Sequence, residues 1–211
     1  MKKITFLIVC LVNIIYCSAQ IKAVTENGDE VFLYENKTWE YSDANTKEKK
    51  EIPTNKVSFS KSNDASFFLK SKILPSVGIN LNTKKWSFEK SKGEDASEYG
   101  FELKGKDAYG MIITEKIEVP LETLKDLALE NAKELAPDMN IAFEEYRIVN
   151  GNKVLCMQMN GTLKGIKITY FGYYFSNESG SLQFVTYTSQ RLFKEFKDEF
   201  ETLLNGLEVI N

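Results

Sequence analysis

Four segments in the C-terminal part of the chain have apolar residues at the spacing of β-strands. They are Ile141–Val149, Lys153–Met159, Ile166–Phe175 and Leu182–Thr188. Asn150-Gly151, Asn160-Gly161 and residues 177–180 lie between them, and turns this short join antiparallel neighbours. The second segment is apolar on both faces apart from Gln158, which predicts a central strand that is covered on both sides.

Two other segments have the periodicity of helices. Pro120 opens the first of them, an apolar stripe runs from Leu121 to Leu135, and Pro137 marks its end. The second runs from about Gln190 to Leu204, with Ser189 as the expected N-cap and Asn205-Gly206 as the stop signal. The apolar tail Leu207–Ile210 is then expected to dock back on the sheet.

The N-terminal half predicts shorter elements. Three short strands between Ile21 and Ser42 indicate a small β-meander, with Asn27-Gly28 as its first turn. Residues 43–66 form a predicted polar linker, because residues 47–51 are all charged and have no apolar face. The main domain is expected to begin near Phe67. Its first strands are predicted at Val77–Leu81, with Trp86–Phe88 as a hairpin partner, at Tyr99–Leu103 and at Tyr109–Val119.

Together these elements predict an α+β protein whose antiparallel β-sheet is flanked by helices. The predicted organisation is a signal peptide at 1–19, a β-meander module at 20–42, a linker at 43–66 and an α+β domain at 67–211. The mature chain therefore has one full domain and one small module. A meander of this size is marginal alone, so it is expected to pack on the main domain or on a partner.

The first nineteen residues have the pattern of an export signal. Lys2 and Lys3 precede an apolar run, and small residues before Gln20 predict cleavage after Ala19. The apolar run is shorter than the roughly 20 residues that a transmembrane helix needs. Lipidation at Cys17 is the alternative, but the bulky Tyr16 stands where a lipidation motif has a small residue. The sequence therefore predicts a periplasmic or secreted protein.

The amino-acid composition excludes several classes of catalytic and metal site. The chain has no histidine, which excludes Ser-His-Asp and Cys-His catalysis and histidine metal ligands. Its net charge of −3 argues against a nucleic-acid partner. Signal cleavage leaves Cys156 as the one cysteine, so no intramolecular disulfide is possible, and its apolar strand predicts a buried, inert thiol. No cofactor or metal is expected.

The order of elements resembles the Mog/PsbP/DcrB-like fold over about Ile73 to Ile210. The resemblance rests on the predicted hairpin from Gly78 to Trp86, the Pro120 helix, and residues 172–175 and 182–186 leading into the Phe-rich helix. It implies an α/β/α sandwich. Proteins of this fold include photosystem II accessory proteins, a nuclear import factor and bacterial envelope proteins, so it implies binding or assembly more than catalysis. The segment from Ile21 to Tyr41 and the Ala-Gln end of the signal resemble exported proteins of Bacteroidota.

Two aromatic groups are the candidate binding residues. On a strand, Tyr170 and Tyr174 share one face with Gly172 between them, and such a gap could form the floor of a groove for a ligand or a peptide. The alternative is that these rings belong to the sheet core beneath the helices. The second group is Trp39 with Tyr34 and Tyr41, because a small meander cannot bury all three rings. Packing on the main domain is the alternative for this group.

Patterns that would support catalysis are weak. Ser-x-x-Lys occurs at Ser58 and Ser87, but neither lies on a predicted helix, and Lys-Thr-Gly is absent. The acidic groups at 94–98 and 144–145 are expected to be solvated surface rather than a glycosidase or calcium site. Three functions follow, in order of preference: a non-catalytic binding or assembly protein acting on a cell-envelope protein partner, a carrier of a small apolar ligand, and a histidine-independent hydrolase.

Overall fold

The computed structural model describes residues 21–25, 30–34, 37–42, 51–91 and 97–210. The predicted signal peptide, the Asn27-Gly28 turn and Glu94 and Asp95 lie outside these residues. The chain divides into two compact units, Met1–Lys50 and Glu51–Asn211. No helix in the described ranges is long and apolar enough to cross a membrane.

The first unit contains a three-stranded antiparallel sheet with the order β1-β2-β3. Its strands are β1 (Ile21–Val24), β2 (Glu30–Leu33) and β3 (Trp39–Tyr41). They lie where the sequence pattern predicts the strands of the meander. Val31 is its one large buried hydrophobic residue among those described.

The second unit contains an eight-stranded sheet, a three-stranded sheet and two helices. The large sheet has the order β4-β10-β11-β12-β13-β9-β8-β7, and the small sheet has the order β14-β6-β5. The strands before the first helix are β4 (Thr54–Phe59), β5 (Phe67–Lys70), β6 (Val77–Leu81), β7 (Trp86–Lys90), β8 (Tyr99–Leu103) and β9 (Tyr109–Glu115). The later elements are α1 (Leu121–Leu135), β10 (Asn140–Val149), β11 (Asn152–Leu163), β12 (Ile166–Asn177), β13 (Gly180–Ser189), α2 (Gln190–Leu204) and β14 (Leu207–Val209).

Each helix packs on a different face of the large sheet. Alternation along β12 places Phe171 and Tyr173 in one apolar cluster, which also contains Phe200 of α2. Tyr174 belongs to the second cluster, with Leu124 of α1. The central strand β11 contributes to both clusters, as its two apolar faces predict.

The β-strand content, both helices and the docking of the C-terminal tail agree with the predictions. The tail forms β14 and pairs with β6 of the small sheet. Pro120 is the N-cap of α1 rather than its first helical residue, and Ser189 is the N-cap of α2 without a capping hydrogen bond from its side chain.

The large sheet is mixed rather than antiparallel. The segment predicted as a linker contains β4, which pairs in parallel with β10 at the sheet edge. The second unit accordingly begins at Glu51 rather than at Phe67. The sequence pattern conceals β4 because the strand is mostly exposed, follows a charged segment, and pairs with a strand that is distant in sequence.

The predicted hairpin between Val77–Leu81 and Trp86–Phe88 is wrong. β6 pairs with β5 and β14, whereas β7 pairs with β8. The carbonyl oxygen of Asn82 accepts hydrogen bonds from the backbone N–H groups of Lys85 and Trp86. This helical turn carries the chain from the small sheet to the edge of the large one.

One predicted turn also lies elsewhere. Asn160-Gly161 is inside β11, and the chain turns at Lys164-Gly165, where both residues have positive φ. Gly161 is required by packing instead, since an added Cβ would lie 2.9 Å from the Cε of Met139. The Asn150-Gly151 turn is confirmed, with φ of 47° and 83°.

Candidate functional site

A cavity of about 320 Å³ lies between α1 and the large sheet. Its volume is at the lower end of the range of small-molecule sites, roughly 300–1,000 Å³. Its lining is mostly apolar and includes Ala128, Ala132, Leu135, Met159, Tyr170 and Tyr174. Asn131 and Gln183 are the polar residues of the lining. A cavity with this composition suits a small apolar ligand with few polar groups.

Strand β12 positions the two tyrosines of the site. Tyr170 and Tyr174 are four residues apart, so both side chains point to the α1 face. Tyr174 is buried, and Tyr170 is partly exposed. The sequence predicts the shared face, whereas a position beneath a helix belongs to the alternative that these rings are part of the sheet core. Tyr174 lies in the buried cluster that also contains Leu124 of α1.

Gly172 does not form the predicted gap in the floor. A Cβ at this position would lie 2.6 Å from the carbonyl oxygen of Phe184 and 3.1 Å from a methyl group of Val185. Glycine is thus needed because the neighbouring strand β13 approaches closely. The open space lies beside Val185, over Tyr170 and Tyr174.

Helix α1 leaves space over the sheet in its C-terminal half, where the inward residues are small, whereas Leu124 in its N-terminal half packs on the sheet. Ala128 and Ala132 are one helical turn apart and both line the cavity. Leu135, at the end of the helix, also lines it and is 65% exposed. An exposed apolar side chain beside an apolar cavity gives a ligand an entry surface that is already apolar.

The site has no group that titrates near neutral pH. Burial raises the pKa of both Tyr170 and Tyr174 above that of a free phenol. Both side chains are therefore neutral in the physiological range, and each phenol can donate one hydrogen bond.

The second predicted group lies in the first unit. Trp39 and Tyr41 are 54% and 45% exposed, and their ring centroids are 5.2 Å apart with edge-on geometry. The Tyr34 hydroxyl donates a hydrogen bond to Glu40, and this bond raises the pKa of Tyr34. The two predicted groups thus belong to different units of the chain.

No protein-family model matches the chain, and no curated protein matches its sequence. Solved structures do resemble it. The solution structure of PsbP from the cyanobacterium Synechocystis sp. PCC 6803 is 13% identical, with a TM-score of 0.52, over 70% of this chain and 94% of that one. The chain has a PsbP-like fold. The resemblance that the sequence indicates is therefore confirmed at the level of the fold.

Two further structures resemble the PsbP-like chain more distantly. LpqN of Mycobacterium tuberculosis, which is involved in cell envelope biogenesis, is 8% identical over 64% of this chain and 83% of that one, with a TM-score of 0.45. A protein of Bacteroides thetaiotaomicron VPI-5482 is 12% identical over 70% of this chain and 49% of that one, with a TM-score of 0.45.

The sequence did not predict a buried ionic cluster on the opposite face of the PsbP-like sheet. Arg147 is buried, and its Nε donates to Glu145 at 2.5 Å. Its Nη1 donates to Glu201 at 3.2 Å and to the hydroxyl of Tyr173 at 3.1 Å. The available signal was that Glu145 and Arg147 are two residues apart on a predicted strand and so share a face. The cluster joins β10, β12 and α2, which is a structural role.

Two expectations about acidic residues are also wrong. Glu98 is 6% exposed rather than solvated, and Glu145 is partly buried against Arg147. Glu144 faces the other side of β10, where it contacts Lys125 of α1 at 3.3 Å. In the parts of the chain that the structure describes, no three metal-ligating side chains form a group that could hold an ion.

Proposed function

We propose that this chain is an exported, non-catalytic binding protein that carries a small apolar ligand between α1 and the large sheet. The cavity beside Tyr170 and Tyr174 is the observation that carries the proposal. The amino-acid sequence alone favours a protein partner and gives the apolar carrier second place. The cavity reverses that order.

The arrangement of helices supports a carrier. With α1 on one face and α2 on the other, the second unit is an α/β/α sandwich. The α2 face is closed by bulky residues such as Phe196 and Phe200, whereas the α1 face has alanines over the sheet. A ligand that fills the α1 cavity would gain about 25 cal/mol for each Å² of apolar surface removed from water.

The location and the absence of catalysis are part of the same proposal. The export signal supports a periplasmic or secreted protein. Among the described residues of the two acidic groups, Glu98 accepts hydrogen bonds within the core, Glu144 contacts Lys125 and Glu145 pairs with Arg147.

A neutral fluorescent probe tests the carrier. N-phenyl-1-naphthylamine should bind the full mature chain with increased fluorescence, because it is apolar and small enough for the cavity. Ala132→Phe should weaken this binding roughly tenfold or more, since the ring occupies the space of the ligand. Asp126→Phe places the same ring on an exposed position of the same helix and should leave binding unchanged.

Equal probe affinities of the Ala132→Phe and Asp126→Phe variants would contradict the carrier proposal. Circular dichroism and thermal unfolding of both variants check that α1 is intact, so that lost binding is not mistaken for lost folding.

A second candidate function is supported by the first unit. Ile21, Leu33, Trp39 and Tyr41 are exposed apolar or aromatic residues on one face of the small sheet, where Leu33 lies opposite both Ile21 and Trp39. Contiguous apolar surface of this kind is typical of protein contact sites. We propose a cell-envelope protein as the partner. In vivo crosslinking through a photoreactive aromatic residue at position 41, on the same face as Trp39, should yield one dominant adduct that a Trp39→Ser substitution removes.

A further inference from the structure

Three tyrosines form a row across the open face of the large sheet. In the registers of the strands, Tyr170 of β12 lies opposite Tyr187 of β13, and Tyr187 lies opposite Tyr109 of β9. The ring centroids of Tyr170 and Tyr187 are 5.7 Å apart, and those of Tyr187 and Tyr109 are 5.5 Å apart and stacked. All three side chains are partly exposed. The row begins in the apolar cavity, which Tyr170 lines.

The other end of the row enters a second cavity, of about 360 Å³. Tyr187 and Tyr109 line it together with Glu89 of β7 and Glu102 of β8. Glu102 lies opposite Tyr109 in the strand register, so it continues the row. Gly100 adds open space here, because a Cβ built on it meets no atom within 4 Å.

The charge of this second cavity is negative. Glu89 and Glu102 are both exposed, and neither has an ion-pair partner among the residues that the structure describes. No lysine or arginine belongs to the described lining. Aromatic ring faces carry negative electrostatic potential, so the tyrosines and the carboxylates favour the same kind of group, an organic cation.

We propose that the ligand is an amphiphile with a cationic ammonium head. Its apolar part lies in the cavity beneath α1, and its head lies on the rings of Tyr187 and Tyr109 beside Glu102. This inference rests on the proposed function, because it assumes that the first cavity holds the apolar part. It adds the chemical class of the ligand and the direction in which the ligand lies.

The dimensions of the sheet fit a single elongated molecule. Strands β12, β13, β9 and β8 are consecutive neighbours. Adjacent strands are about 4.8 Å apart, so the path from Tyr170 to Glu102 spans roughly 14 Å. One medium-length alkyl chain with a compact head covers this distance.

Calorimetric titration of the full mature chain with two detergents tests the inference. Decyltrimethylammonium and decyl maltoside have the same alkyl chain, and both are used below their critical micelle concentrations. The cationic detergent should bind about tenfold more tightly than the neutral one, because only its head interacts with the rings and carboxylates.

Three substitutions assign the preference to the second cavity. Glu102→Gln and Gly100→Val should each remove most of the cationic preference and leave decyl maltoside binding unchanged, the first by removing charge and the second by filling open space. Glu118→Gln removes the same charge from an exposed position elsewhere and should keep the preference.

The outcomes separate this inference from the proposed function. Equal affinities for both detergents in the wild-type chain would overturn the cationic head and leave the apolar carrier standing. A preference that survives both Glu102→Gln and Gly100→Val would also overturn it. Failure of both detergents to bind would overturn the carrier itself.

Discussion

Glu98 joins the two sheets of the second unit through one buried carboxylate. Its Oε2 accepts hydrogen bonds from the hydroxyls of Ser71 at 2.7 Å and Thr114 at 2.8 Å, and its Oε1 accepts from the backbone N–H of Lys72 at 2.6 Å. Ser71 follows β5 of the small sheet, and Thr114 lies in β9 of the large one. The carboxylate is buried because these donors replace its hydration.

Glu98→Gln should lower the free energy of unfolding by about 2 kcal/mol, because an amide N–H₂ then faces groups that are themselves donors. Urea denaturation followed by circular dichroism measures the change. The control is Glu118→Gln at an exposed position, which should change stability by less than about 0.5 kcal/mol. Equal free energies of unfolding for the two variants would contradict a stabilising role for the Glu98 carboxylate.

Because the Cys156 thiol is buried, the free energy of unfolding is expected to change with pH in the alkaline range. Burial raises its pKa from 9.0 to about 12, although the nearby Arg147 opposes the rise. Between these values the unfolded chain releases the thiol proton and the folded chain keeps it, so stability falls as pH rises from about 9 to 12. Below pH 9 the thiol is protonated in both states and contributes no slope.

Cys156→Ala should therefore show a shallower loss of stability than the wild type between pH 9 and pH 12. The other titrating groups are common to both proteins, so the difference in slope isolates the thiol. Parallel curves from urea denaturation at a series of pH values would contradict the buried, neutral thiol.

At the scale of elements, hydrophobic periodicity predicted the positions of the helices and of the C-terminal strands well. It predicted less well which strands pair with each other. The limits of α2 match the prediction because its apolar stripe, Ser189 and Asn205-Gly206 all agree. A turn was wrongly predicted at Asn160-Gly161 because Asn-Gly is common in turns. Both residues lie in β11, where Gly161 makes room for the side chain of Met139. The pairing of β6 with β14 and that of β4 with β10 each join strands that are distant in sequence, and alternation along a strand does not identify its partner.

Two glycines on the same face of the large sheet test how closely its strands pack. Gly172→Ala should lower the free energy of unfolding by about 1–3 kcal/mol, because its Cβ meets the backbone of β13. Gly100→Ala should change it by less than about 0.5 kcal/mol, because its Cβ enters open space. Urea denaturation of both variants measures these changes. Equal losses of stability would contradict the close approach of β13 to Gly172 and the open space beside Gly100.

At the scale of the whole molecule, the candidate site arises from unequal cover of the two sheet faces. Phenylalanines of α2 close one face, whereas α1 places alanines over β11 and β12 and leaves a cavity. The sequence predicted that Tyr170 and Tyr174 share a face, because strand alternation is local. It offered a ligand groove beside these tyrosines only as one of two alternatives and did not predict the tyrosine row, because both features depend on how β9 and β13 pair and on where α1 lies.

The most direct test of the central claim is native mass spectrometry of the exported protein. Wild type, Ala132→Phe and Asp126→Phe are purified from the same Gram-negative host, and denatured spectra give the bare mass of each chain. The carrier predicts an additional mass in the native spectra of the wild type and of Asp126→Phe that is absent for Ala132→Phe. Native spectra that show the same bound mass in all three proteins, or none in any, would contradict a ligand between α1 and the sheet.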